Sequence, residues 1–278
     1  MFPEQATPAS RQRFDLARQI AEACPPALAD AIAVSGSVAR GWSDDDSDLE
    51  LNFWGQDLPP ESERAAWMMR LGVTDLEIEP TARDDDSWWI GGRFQGVPVE
   101  FGWQTCGALD RVCDALLSGA AAGGEIAFLG DLLAHVLPLR GEEEIAARQA
   151  RVRAIPERVQ RMLIGAAAAR FKSGHLKAAR RLAARGETLA LNESLLADLD
   201  AALRLMYAAH QRWLPGRKWR QTAARAFAPA DWLKRFDDAL CVVDPTARVD
   251  AVWRLVREAL LEVPCYIDVS DALSALEG

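Results

Sequence analysis

The chain has 278 residues, 50% hydrophobic and 26% charged, a balance that supports a packed globular core and excludes wholesale disorder. No run approaches the roughly 18 apolar residues that a membrane span requires, and Met1-Phe2-Pro3-Glu4-Gln5 has no basic stretch leading into an apolar one, so a cytoplasmic location is expected. The net charge of −9 is uneven: residues 1–140 carry 10 basic and 23 acidic side chains, and residues 141–278 carry 22 and 18. An acidic first half disfavours a long nucleic acid as partner and favours a small or cationic molecule.

Residues 10–24 place Phe14, Ile20 and Ala21 at helical spacing, with Ser10 as a candidate N-cap and Pro25-Pro26 as the stop. The apolar run at residues 31–34 ends at Ser35-Gly36-Ser37 and reads as a buried strand delivering a tight turn. Residues 48–54 alternate polar and apolar side chains, the period of a half-buried strand. A helix is expected over 61–70. Residues 88–94 and 97–103, joined by Gln95-Gly96, read as a hairpin, with Pro98 near the start of its strand. From Leu109 onward strand signals fade and Ala, Leu and Arg dominate, so the second half reads as helical, with no repeat and no low-complexity linker.

These elements predict an α/β (α+β) chain of two domains: a mixed-sheet domain over residues 1–140 and an all-helical domain over 141–278. The five cysteines (Cys24, Cys106, Cys113, Cys241, Cys265) lack zinc-binding spacing and read as buried reduced thiols. His135, His175 and His210 are isolated and receive no catalytic role.

The segment from Val34 to Leu51 carries the chemistry. Gly36 lets the backbone approach a bulky anion, and the turn's amides and the Ser37 hydroxyl are donors suited to phosphate oxygens. Asp48 and Glu50, two apart on a strand, face the same side with Cα atoms about 7 Å apart. Hard oxygen ligands without histidine or thiolate suit magnesium. A metal pair roughly 4 Å apart clamps the attacking oxygen and the leaving pyrophosphate of an in-line displacement, which is phosphoryl chemistry.

A strand, then Gly36-Ser37, then ten residues, then Asp48-Leu49-Glu50-Leu51 resembles the signature of the DNA polymerase beta superfamily of nucleotidyltransferases. Gly36-Ser37-Val38-Ala39-Arg40-Gly41 and the pair Ser47-Asp48 are most similar to its minimal and antibiotic-modifying branch, which includes aminoglycoside and lincosamide nucleotidyltransferases. The resemblance covers about residues 31–103. It implies a mixed sheet flanked by helices, ATP or another nucleoside triphosphate bound with two Mg2+ ions, and a third acid on a later strand. By position, it implies that Ser37 holds the triphosphate, Asp48 and Glu50 bind metal, and Arg40 supports the loop or a phosphate.

For the third acid, Glu100 stands in the apolar run Val97-Pro98-Val99-Glu100-Phe101, where an unpaired carboxylate is costly to bury without a function. It is preferred over Glu77 and Glu79, which alternate with apolar residues but follow no glycine-serine turn. Glu100 would be both metal ligand and general base. The family often has aspartate where this chain has Glu50 and Glu100. Pro215-Gly216-Arg217-Lys218-Trp219 resembles a segment of two-domain relatives in which a lysine faces the nucleotide phosphates. Lys218 therefore either reaches the triphosphate or lies on a surface turn between helices.

The acidic runs Asp44-Asp45-Asp46 and Asp84-Asp85-Asp86 read as solvated loops or as a rim that attracts a cationic acceptor. The expected activity is transfer of AMP to a hydroxyl of a small molecule, with an antibiotic among the candidates. Transfer to a protein or a tRNA end, and nucleotide binding without catalysis, are the rival readings.

Overall fold

The computed structural model describes residues 2–78, 87–120 and 127–276. The first helix, α1 (Pro8–Ala23), starts one turn earlier than its apolar spacing suggests. Its N-cap is Thr7 rather than Ser10: the Thr7 hydroxyl oxygen accepts from the Ser10 amide at 3.1 Å, and Pro8 fills the first turn, where no intrahelical donor is lost. The chain continues through β1 (Ala31–Val34), α2 (Gly36–Arg40), β2 (Leu49–Gly55), α3 (Glu61–Leu71), β3 (Thr74–Ile78), β4 (Ser87–Phe94) and β5 (Val97–Thr105). It then forms α4 (Cys106–Ser118), α5 (Ala127–His135), β6 (Leu137–Arg140) and α6 (Glu142–Val152).

The six strands make one mixed sheet in the order β3-β4-β5-β2-β1-β6. Among the described residues only the β2 and β5 pair is parallel, and the other neighbours run antiparallel. The β4 and β5 hairpin turns through Gln95 and Gly96, both at positive φ, the backbone a two-residue turn of this hand requires. Pro98 lies just before the first residue of β5 that pairs with β2, so its missing donor costs that ladder nothing.

Strand β6 corrects the expectation that strands end before Leu109. It has four residues, includes Pro138 and joins the sheet edge beside β1, too short and too interrupted for its period to show in sequence.

Alternation sorts the central strands into two faces. Leu49, Leu51 and Phe53 of β2, with Val99, Phe101 and Trp103 of β5, are buried in a core shared with Leu16 and Ile20 of α1 and with Trp67 and Met68 of α3. Phe53 and Trp103 stack at 4.5 Å between ring centroids, and Trp67 meets Trp103 edge-on at 6.1 Å. The opposite face carries Glu50, Asn52, Glu100, Gly102 and Gln104.

The region after the sheet is all-helical: α7 (Glu157–Ala168), α8 (His175–Arg185), α9 (Thr188–Ala209), α10 (Arg220–Ala224), α11 (Ala230–Ala239), α12 (Pro245–Leu261) and α13 (Ser270–Ala275). Its core gathers Leu195, Leu199 and Met206 of α9 with Trp232 of α11 and Val252 and Val256 of α12. Two compact units emerge, one of Met1–Ala115 with Leu132–Arg153, the other of Leu116–Asp131 with Ala154–Gly278.

Cys24, Cys106 and Cys113 are buried, but Cys241 and Cys265 are exposed, which corrects the expectation that all five thiols are interior. Cys241 follows the last turn of α11 and Cys265 lies in the loop after α12, surface positions that an even spread of cysteines does not reveal. Among the described residues no helix is long and apolar enough to cross a membrane.

Candidate metal and phosphate site

Strand β1 is buried along its whole length and leads into a turn that sequence alone marks as special. Gly36 has φ +61°, and a Cβ placed on it would lie 2.4 Å from Oε2 of Glu50 and 2.7 Å from its Cδ. The left-handed backbone and the nearness of the Glu50 carboxylate both favour glycine there. After four more residues of α2, Gly41 closes the helix in the left-handed conformation. Ser37 is 5% exposed, and its hydroxyl lies 3.0 Å from that of Ser43. Ser43 is itself tied to the start of α1: its amide donates to the Ser10 hydroxyl at 2.8 Å, and Thr7 donates to its carbonyl at 2.6 Å.

The loop from Gly41 to Asp48 is held from beneath by Arg13, 3% exposed, whose guanidinium donates to the carbonyls of Ser47 at 2.8 Å and Asp45 at 2.9 Å. The Ser47 hydroxyl donates to Oδ1 of Asp44 at 2.7 Å, and this bond holds the Asp44 carboxyl below its ordinary value of 3.8. Asp44, Asp45 and Asp46 are exposed, while Asp84, Asp85 and Asp86 lie outside the described residues. Asp48 emerges from this braced loop one residue before β2 begins, not inside the strand.

The parallel register of β2 and β5 sets Glu50 directly opposite Glu100. With Asp48, they offer carboxylate oxygens that all lie within 4.8 Å of one another, a group able to hold a metal ion; Asp48 and Glu50 are half-buried and Glu100 is exposed. Two like charges at that distance repel by about 3 kcal/mol at an effective dielectric near 20, less where solvent screens them, so a cation between them is favoured.

Glu77 does not join this group. It stands on β3, the edge strand separated from β2 by β4 and β5, roughly 14 Å away at about 4.8 Å per strand. Glu79 lies outside the described residues.

Two features of the polar face had no signal in the motif. The buried Ser35 hydroxyl donates to Oε2 of Glu50 at 3.1 Å and accepts from the side-chain amide of buried Asn52 at 2.9 Å. On the other side of Glu100, Trp89 of β4 lies opposite Gly102, and a Cβ on Gly102 would fall 2.6 Å from the indole ring. A half-buried aromatic face thus lies beside the carboxylates, on the side away from the turn.

Arg40, the last residue of α2, has its guanidinium 3.3 Å from Nδ1 of His135 and 5.1 Å from the centre of the Trp42 ring. Lys218 belongs to the second unit, in a short 3-10 helix (Arg217–Trp219), exposed, with its ammonium 5.7 Å from the centre of the Trp219 ring. Neighbouring Trp213 is buried and Trp219 is half-buried.

A family model described as a domain of unknown function (DUF4037) matches residues 137–220. Among solved structures, the chain is similar to a nucleotidyltransferase-like protein from Exiguobacterium sibiricum 255-15, at 12% identity and a TM-score of 0.42, over 91% of this chain and 75% of that one. No curated protein matches it.

Proposed function

We propose that the chain is a magnesium-dependent nucleotidyltransferase that moves a nucleoside monophosphate, AMP from ATP in the simplest case, to a hydroxyl of a small molecule such as an antibiotic. The observation that carries this reading is the convergence of Asp48, Glu50 and Glu100 within 4.8 Å of one another, next to the turn at Gly36 and Ser37. The donor set fits the metal: three carboxylates and no imidazole or thiolate select a hard cation. The longer glutamates at positions 50 and 100 fit as well, because the register that aligns them still lets all three acids meet.

Magnesium bound there would neutralise charge on the triphosphate and lower the pKa of the attacking hydroxyl. The chain's own groups do the rest. The turn at Gly36 and Ser37 receives the triphosphate on backbone donors, with Arg40 behind it. Attack and departure lie on opposite sides of the α-phosphorus, so an acceptor approaches from the β5 side while pyrophosphate leaves toward the turn. Glu100, the exposed member of the triad, takes the hydroxyl proton as the new oxygen to phosphorus bond forms and the bond to pyrophosphate breaks. The acidic first half favours a positively charged acceptor.

Calorimetry with magnesium ATP, followed by incubation with labelled ATP and candidate acceptors, tests the reading. Asp48→Asn should weaken magnesium ATP binding and turnover together, since it removes a charge facing the metal. Parental binding and activity in that variant would remove Asp48 from the ligand set and the reading with it. Label on protein or RNA rather than on a small molecule, or binding with no pyrophosphate release, would replace the acceptor assignment or the catalytic one.

A further inference from the structure

The side chains behind Glu50 constrain how it can bind a cation. Asn52 lies two residues along β2 on the same face, 4% exposed, and its amide donates to the Ser35 oxygen at 2.9 Å. With that lone pair engaged, the Ser35 hydroxyl, 1% exposed, directs its proton to Oε2 of Glu50 at 3.1 Å. The Glu50 carboxylate also lies close beside Gly36, where a methyl group would come within 3.0 Å of Oε1 and 2.4 Å of Oε2. The backbone repeats the tie, since the Ser35 amide donates to the Glu50 carbonyl at 3.0 Å.

We propose that Ser35, oriented by Asn52, holds Glu50 in a pose that ligates through one carboxylate oxygen and so sets the site's preference for a small six-coordinate cation over calcium. Magnesium takes one oxygen from each carboxylate in a tight octahedron, whereas calcium takes up to eight oxygens and readily binds a carboxylate through both. The hydroxyl takes one of the two lone pairs on Oε2 and fixes the tilt of the carboxylate, which disfavours the two-oxygen pose that calcium would use. Ser35 and Asn52 are positioning residues: they act on the metal only through Glu50. The inference rests on the metal site of the proposed function, and the assay separates the two.

The probe is Mn2+, a six-coordinate stand-in for magnesium whose free and bound forms are distinguished by electron paramagnetic resonance, titrated against Ca2+ in the full-length protein. The parent should bind Mn2+ and release it only to excess Ca2+. Ser35→Ala should shift the ratio of Ca2+ to Mn2+ affinity toward calcium by about tenfold or more, the lower end of the range of about 10 to 100-fold by which partners of metal ligands tune affinity. Ser35→Thr, which keeps the hydroxyl, should restore the parental ratio, and Asn52→Ala should fall between.

In a Glu50→Gln background, Ser35→Ala should change nothing further. A ratio unchanged in Ser35→Ala, or an undiminished effect in the Glu50→Gln background, overturns the proposal. Thermal melting checks folding; if Ser35→Ala does not fold, Asn52→Ala is held to the same criteria. Absence of Mn2+ binding by the parent overturns this inference and the metal-dependent function together, whereas binding with an unshifted ratio overturns this inference alone.

Discussion

Gly36→Ala puts the geometry of the turn to a quantitative test. The residue has φ +61°, where a side chain costs about 1 to 2 kcal/mol, and its new methyl would overlap the Glu50 carboxylate at 2.4 Å. Glu50 is the flexible partner, so it should swing away rather than force the β1 and β2 strands apart. The move breaks the Ser35 hydrogen bond, worth about 1.5 to 3 kcal/mol for a charged acceptor and partly recovered as the carboxylate is hydrated. A net loss of about 2 kcal/mol leaves a typical domain folded, because domains hold about 5 to 15 kcal/mol.

The larger effect should be on the metal. Saturating the parent with Mn2+ at about 100 times its dissociation constant should add about 2.7 kcal/mol to stability. Displacing Glu50 should erase most of that increment. Urea unfolding with and without Mn2+ measures both quantities on one sample. A Gly36→Ala protein that loses about 2 kcal/mol yet keeps the full metal increment would show that Glu50 stays in place or does not bind metal, and the reasoning fails.

Glu100→Gln should lower nucleotidyl transfer on the order of a hundredfold, measured as pyrophosphate release, while magnesium ATP still binds and Glu77→Gln has little effect. Lys218→Ala should raise the KM for ATP more than Arg217→Ala does; equal and negligible effects would return this segment to a surface turn. Burial pushes the Cys24 thiol up to about 11, and Cys106 and Cys113 are raised for the same reason, so at pH 8 a thiol reagent should modify Cys241 and Cys265 first, as peptide mapping would reveal. Asp44 is held below 3.8 by Ser47, so its contribution to stability is present above 3.8 and is lost as pH falls through its lowered value. Ser47→Ala should return the Asp44 titration toward 3.8 in a carboxyl NMR experiment, and an unmoved titration would remove Ser47 as the cause.

Local signals were enough to read the central strands, the 95–96 turn and the helical second half. Each rests on a short-range property: alternation over one strand, the positive φ that Gln95 and Gly96 must adopt, or the helical bias of Ala, Leu and Arg. The start of α1 is not legible in the sequence because Thr7 and Ser10 both suit a cap, and only the packing of the Ser43 loop against them decides between the two. Strand β6 leaves no local signal because its four residues form a strand only when β1 is beside them.

At the site, the spacing from Gly36-Ser37 to Asp48 and Glu50 was legible because all of it falls within sixteen residues of one chain segment. The third acid was not decided by spacing, since Glu77, Glu79 and Glu100 all sit in alternating runs. Strand order decides that Glu100 meets Glu50 and Glu77 does not, and order is set by long-range pairing that no local period encodes. The same holds for Ser35 and Asn52. As sequence they are a turn serine and a strand asparagine, ordinary residues seventeen positions apart. Only the antiparallel pairing of β1 with β2 brings them together behind Glu50, where the Asn52 amide bonds the Ser35 hydroxyl and that hydroxyl bonds the carboxylate.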